Sequence, residues 1–239
     1  MALFTQGYAL QPPQGGGGNA SWSWCHLTLR HPIRIPGITE LPVSGAGMRI
    51  GLFGGSFNPV HEGHRLVVEE TLRRLDLDAL WVLVTPGNPL KDHKELAPLA
   101  DRVLAARRLL RHPKVRVTGF EAAHGFTYSW QTIRFLTQIM PDRRFVWIMG
   151  ADNLVNFHRW ERWREIAEML PMAVYVRPGS SRLAPTSLAA SALARWRVGE
   201  EDAPRLAMLP PPSWIYLHGR QSTLSSSAIR AQTRHFDAK

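Results

Sequence analysis

Two imidazoles stand three residues apart, at His61 and His64, in the string Gly54-Gly55-Ser56-Phe57-Asn58-Pro59-Val60-His61-Glu62-Gly63-His64. Neutral or protonated, an imidazole can donate a hydrogen bond, so the pair suits phosphate oxygens that gain charge in a transition state. Phosphoryl and nucleotidyl transfer rest chiefly on positioning and charge stabilisation, so no Ser–His–Asp relay is required. Zinc ligation is the other chemistry two histidines suggest, but no third ligand lies nearby at metal spacing. The plain alternative is a Gly-rich turn with two incidental histidines. The placement of the whole string between an apolar strand and a helix argues against it.

A second string, Leu224-Ser225-Ser226-Ser227-Ala228-Ile229-Arg230, offers a matching set of donors. Ser225 can cap a helix, Ser226 and Ser227 can donate to phosphate, and the Arg230 fork can grip it as lysine cannot. Helix capping plus a surface arginine would explain this string if it stood alone. Lys91, His93 and Lys94 follow Pro86-Gly87-Asn88-Pro89 on a polar loop and can neutralise phosphates or simply face solvent. Asp152 follows an apolar run; it can accept from ribose hydroxyls, cap the next helix, or do both.

These residues need elements to position them. Apolar runs at 48–53, 80–85, 115–118, 145–149, 172–177 and 214–217 read as strands. Helical periods fill 63–75, 99–110, 129–140, 154–170 and 225–232. Uninterrupted apolar strands alternating with helices predict an α/β fold, a doubly wound and mostly parallel sheet covered on both faces. Ligands in such sheets bind beyond the carboxyl ends of the strands, where the strand order switches. Glycines at a strand end let backbone approach a ligand, and a helix start presents unpaired N–H groups to phosphate.

The chain has 239 residues, 44% of them hydrophobic, and Cys25 is its single cysteine. That excludes a disulfide framework or a multi-thiolate zinc site. No run reaches the roughly 18 apolar residues of a membrane span. A formal charge of +10 points to an anionic partner without choosing among nucleotide, nucleic acid and lipid. Residues 1–47 carry Gly15-Gly16-Gly17-Gly18, scattered prolines and only Arg30, Arg34 and Glu40 as charges. They read as disordered or as an over-extended start ahead of Met48, with 48–239 the working domain. They lack a secretory pattern, which makes the cytoplasm the expected address.

GGSFNPVHEGH resembles the amino-terminal signature of the HxGH nucleotidyltransferase superfamily, and LSSSAIR resembles its ISSTxIR motif, about 160 residues later. From Met48 to about Gln232 the finer resemblance is to bacterial nicotinate-nucleotide adenylyltransferases. Its carriers are the 86–94 loop, Thr127-Tyr128-Ser129-Trp130-Gln131-Thr132, Gly150-Ala151-Asp152-Asn153 with Phe157, Trp160 and Trp163, and Arg177-Pro178-Gly179. The resemblance implies a Rossmann-like nucleotidyltransferase fold. It implies ATP contacts from Gly54, Gly55, Ser56, Phe57, His61, His64 and Gly150, and further on from Arg177, Ser225, Ser226, Ile229 and Arg230. Of these, His61, His64 and Arg230 would act in catalysis.

For nicotinate mononucleotide the resemblance implies Asn88, Lys91, Lys94, Ser129, the backbone of Trp130, Asp152 and, stacked on the pyridine, Trp160. Trp130 departs from the family, which commonly has smaller residues there. In the 86–94 loop, Leu90-Lys91-Asp92 stands where the family usually doubles a proline. The expected reaction moves AMP from ATP to nicotinate mononucleotide, with Mg²⁺ entering through the substrate phosphates and no protein metal site. Nicotinamide mononucleotide and phosphopantetheine are the alternative acceptors. A nucleic-acid-binding protein is a more distant reading, disfavoured because arginines are dispersed and tryptophans such as Trp81 and Trp147 sit in apolar runs. No membrane or nucleic-acid partner is expected, and a homo-oligomer is left open.

Overall fold

The computed structural model describes residues 32–87, 96–176, 184–219 and Ser226. The chain begins with strand β1 (Arg49–Gly55), helix α1 (Glu62–Arg74), β2 (Ala79–Val84), α2 (Leu99–Leu109) and β3 (Val115–Thr118). Next come α3 (Phe120–Ala123), α4 (Ser129–Ile139), β4 (Arg144–Gly150), α5 (Ala151–Asn156), α6 (Trp163–Met169) and β5 (Met172–Tyr175). Helix α7 (Leu188–Ala192), β6 (Arg197–Val198) and β7 (Trp214–Leu217) complete it. The strands form one sheet in the order β3-β2-β1-β4-β5-β7-β6, and every pairing is parallel.

Burial explains the apolar runs. Every residue of β2 is buried, because its side chains alternate between two covered faces. Leu80, Val82 and Val84 pack with Val67 and Val68 of α1 and Val103 of α2. Trp81 and Leu83 pack on the other face with Ile133 and Leu136 of α4 and Leu154 of α5. β1 lies between β2 and β4, so the strand order reverses there and a crevice opens beyond Gly55 and Gly150. That crevice is the switch point expected of a doubly wound sheet.

Three sequence expectations need correction. The helix read across 154–170 is broken into α5, a 3₁₀ turn at Phe157–Arg159, and α6. In one continuous helix Phe157 and Trp163 would point about 120° apart. The break, where Arg162 adopts φ 54°, lets both rings bury. Second, α3, α7 and β6 were not anticipated; at four, five and two residues they are too short to show a period.

Third, residues 32–47 are not a loose extension but pack on the body. Ile38 is buried, Ile33 N–H donates to Ala122 O, and Gly119 N–H donates to Ile38 O. Arg143 reaches Ser44 O, and Thr118 Oγ1 donates to Glu40 O. A chain starting at Met48 would lack all of these contacts. Of the last predicted helix, 225–232, only Ser226 lies among the described residues, and it is helical. No helix among the described residues is long and apolar enough to cross a membrane.

Candidate active site

β1 runs into the crevice and ends on Gly54-Gly55. A Cβ on Gly54 would come within 2.9 Å of the Trp147 ring, and one on Gly55 within 3.2 Å of the Phe57 ring. Internal packing therefore already disfavours a side chain at Gly54, and at Gly55 unless the Phe57 ring gives way, a reason the sequence did not reveal. Phe57 takes φ 46° and places its ring between Phe53 and His64, with centroids 5.4 and 4.9 Å away.

The two histidines cap their own helix. His61 is the extended N-cap of α1, and its Nδ1 accepts from Gly63 N–H at 3.1 Å. His64 Nδ1 accepts in turn from His61 N–H at 3.2 Å, closing a capping box. A backbone N–H can only donate, so both Nδ1 atoms are acceptors and each ring carries its proton on Nε2. The rings lie 3.9 Å apart by centroid, and both residues are buried. One structural job thus fixes the tautomer needed for another: two oriented Nε2 donors at a helix start. The signal was present in the sequence, because the histidines have the spacing of a capping box.

Ser226 ties the second motif to the first, donating from Oγ to Pro59 O at 2.9 Å across 167 residues. A hydroxyl has one proton, and Ser226 directs it to the Pro59 carbonyl, so it tethers the Pro59 loop.

Arg102 of α2 was missed altogether. Buried, it donates from Nε to Ala97 O and from Nη1 to Ser56 O and Thr85 O, each at 2.8 Å. It clamps the loops after β1 and β2 together. Burial lowers its pKa to about 10, which still leaves it charged at neutral pH. In the sequence it looked like one more charge on an amphipathic helix.

On the other side of the switch point, Ser129 and Trp130 open α4. Gln131 Oε1 accepts from Thr127 and Tyr128 N–H at 2.9 and 3.0 Å, leaving the next N–H groups, at Ser129 and Trp130, without an intrahelical acceptor. Beneath this turn Thr132 Oγ1 donates at 2.7 Å to Glu121, which is buried. Burial raises the Glu121 carboxyl to about 7, with the Thr132 bond opposing the rise.

Gly150 is the N-cap of α5, and Asp152 lies in its first turn, exposed and making no cap. The capping role for Asp152 is therefore corrected, and its carboxylate stays open to solvent. Trp160 is half-buried between Phe157 and Trp147, with centroids 5.4 and 6.3 Å away. Asn88, Lys91, His93, Lys94, Arg177, Ser225, Ile229 and Arg230 lie outside the described residues. Among the described residues no three His, Cys, Asp or Glu side chains converge as a metal cage.

Residues 52–232 match the cytidylyltransferase-like family model. A probable nicotinate-nucleotide adenylyltransferase of Methylorubrum extorquens is 55% identical over 185 residues, 77% of this chain and all of that one. The chain belongs to the nicotinate-nucleotide adenylyltransferases of the cytidylyltransferase-like family. A further relative of the same name, from Mesorhizobium japonicum, is 50% identical over 194 residues, 81% of this chain and all of its own. The solved Plasmodium falciparum nicotinic acid mononucleotide adenylyltransferase, complexed with NaAD, superposes with TM-score 0.60 at 15% identity. That likeness, over 77% of this chain and 83% of the other, speaks to the shared fold.

Proposed function

We propose that this chain transfers AMP from ATP to nicotinate mononucleotide, releasing pyrophosphate and forming nicotinate adenine dinucleotide. The observation that carries the reading is the pair of buried imidazoles, both Nδ1 atoms bound to backbone N–H, at the switch point of the sheet. A phosphate oxygen of the mononucleotide attacks the α-phosphorus of ATP in line. The new P–O bond forms as the bond to the β-phosphate oxygen breaks, and pyrophosphate leaves with that electron pair. The enzyme supplies no nucleophile. The Nε2 donors of His61 and His64 stabilise charge as it builds on the phosphates, and the start of α1 adds its dipole.

Arg230 joins this set on the strength of the motif. Ser226 holds the histidine loop, and Arg102 fixes the floor beneath it. Ser129, Trp130 and Trp160 receive the pyridine ring. Mg²⁺ suits this site as an ion carried on phosphate oxygens and water, because the described histidines have their Nδ1 atoms engaged and this hard ion keeps water and takes few protein ligands. When bound it would neutralise phosphate charge. A cytoplasmic address remains the expected one.

Pyrophosphate release measured with nicotinate mononucleotide, nicotinamide mononucleotide and phosphopantetheine in turn tests the assignment. Preference for the first is expected. Turnover with either of the others alone, or oligonucleotide binding without ATP turnover, would overturn it.

A further inference from the structure

We propose that Arg162 is a specificity-determining residue: its guanidinium, seated on Trp130 at the start of α4, favours a pyridine bearing a carboxylate over one bearing a carboxamide. The inference rests on the functional reading above and adds to it a side chain that neither motif contains.

The Arg162 Cζ lies 4.5 Å from the centroid of the Trp130 ring. Arg164 on Trp163 and Arg195 on Trp196 pair sequence neighbours, but Arg162 and Trp130 are joined only by the fold. Arg162 holds φ 54°, a left-handed conformation unfavourable for a side chain of this size, in the turn that follows Trp160. The aromatic assigned to the pyridine and this cation therefore share one turn. The indole under the cation belongs to the helix whose first N–H groups are assigned to the ring's substituent.

Nε of Arg162 donates to Glu165 Oε1 at 2.6 Å, which uses one of five guanidinium donors. The side chain, ion-paired with Glu165, is 37% exposed, so its remaining N–H donors are within reach of a ligand. Trp130 Nε1 is buried and finds no acceptor among the described residues. A carboxylate sets charge against charge at the guanidinium, whereas a carboxamide oxygen accepts from it without a countercharge. A flat guanidinium can lie on an indole face as an ammonium cannot. The bulky Trp130, the departure from the family pattern, thereby acquires a purpose.

The test compares kcat/KM for nicotinate and nicotinamide mononucleotides in the full chain and in Arg162→Asn, a residue that tolerates left-handed φ. The acid-to-amide ratio should fall on the order of tenfold or more, the worth of one bond to a charged group. The loss should lie in KM for the acid, with the constants for the amide and the melting temperature held. A ratio that stays within about twofold of wild type, well short of one such bond, overturns the inference.

Should the Asn variant not fold, Trp130→Leu removes the platform and leaves the turn intact. The same ratio should then drop by a smaller factor, and an unchanged ratio would count against the inference. A wild-type chain that makes no pyrophosphate from nicotinate mononucleotide removes the functional reading and this inference together. One that prefers the acid and keeps that preference without Arg162 removes the inference alone.

Discussion

At the end of β1, one unbroken stretch from Gly54 to His64 turns the chain, caps α1 and supplies both imidazoles. Beyond the end of β4 the arrangement is different. Ser129 and Trp130 come from α4, Trp160 from the turn after α5, and Arg162 from the entry to α6, with Glu121 of α3 buried beneath. The side proposed to hold phosphate is local and stiff, because each histidine is held through backbone of its own segment. The side proposed to hold the pyridine is assembled by packing, so its shape depends on contacts between elements distant in sequence. Such a division lets substrate choice vary while the group-transfer machinery stays constant.

The largest effect should come from the local side. His64→Ala should lower turnover by about 10²–10³, the loss seen when one oriented transition-state donor is removed. It also strips the acceptor from His61 N–H, so His64→Asn separates the two roles by returning an acceptor without the Nε2 donor. Equal losses in both variants assign the effect to the donor, and recovery in the Asn variant assigns it to the cap.

Next comes Glu121, on the packed side. Its folded pKa of about 7 exceeds the ordinary 4.5, so between these values the folded state holds a proton that the unfolded state has released. The resulting stability is fully present below the lower value and lost as pH rises through the higher. The conversion from pKa to free energy makes the loss about 3 kcal/mol. Denaturation at a series of pH values should show that decline. Glu121→Gln should lack it and be the more stable protein above pH 7; parallel curves would refute the buried-carboxyl account.

Trp160→Ala should raise KM for nicotinate mononucleotide roughly tenfold or more, as loss of one ring stack costs about 1–3 kcal/mol. KM for ATP should hold, and a rise in both would mean that the two sides of the crevice are not separable. The smallest effect belongs to Ser226→Ala. Losing one neutral hydrogen bond, about 1 kcal/mol, should shift KM for ATP several-fold and leave turnover near its original value. No change in either would show that the Pro59 loop does not need its tether.

The parts legible in the sequence are those whose physical cause is local. β2 reads as a strand because both faces are covered, and His61 with Gly63 and His64 reads as a site because a turn, a cap and two imidazoles need no distant partner. Arg102 was illegible because nothing in a helical charge pattern shows that the guanidinium turns inward to three carbonyls. The break at Trp160–Arg162 was hidden because residues 154–170 keep a helical period until two rings must enter one core. The segment 32–47 lacks periodicity, and its order comes from hydrogen bonds to α3, the end of β3 and the turn before β4.

Apolar runs alternating with helical periods, and the two strings around His61 and Ser226 with the family they resemble, were enough to point to a parallel α/β sheet and nucleotide chemistry at its strand ends, because hydrophobic period and helix-end chemistry act over a few residues. Which side chains meet across the crevice was decided only by tertiary packing. Ser226 reaches Pro59, Arg102 spans two loops, and Arg162 settles on Trp130 through contacts whose energy depends on distance in space, to which separation along the chain is no guide.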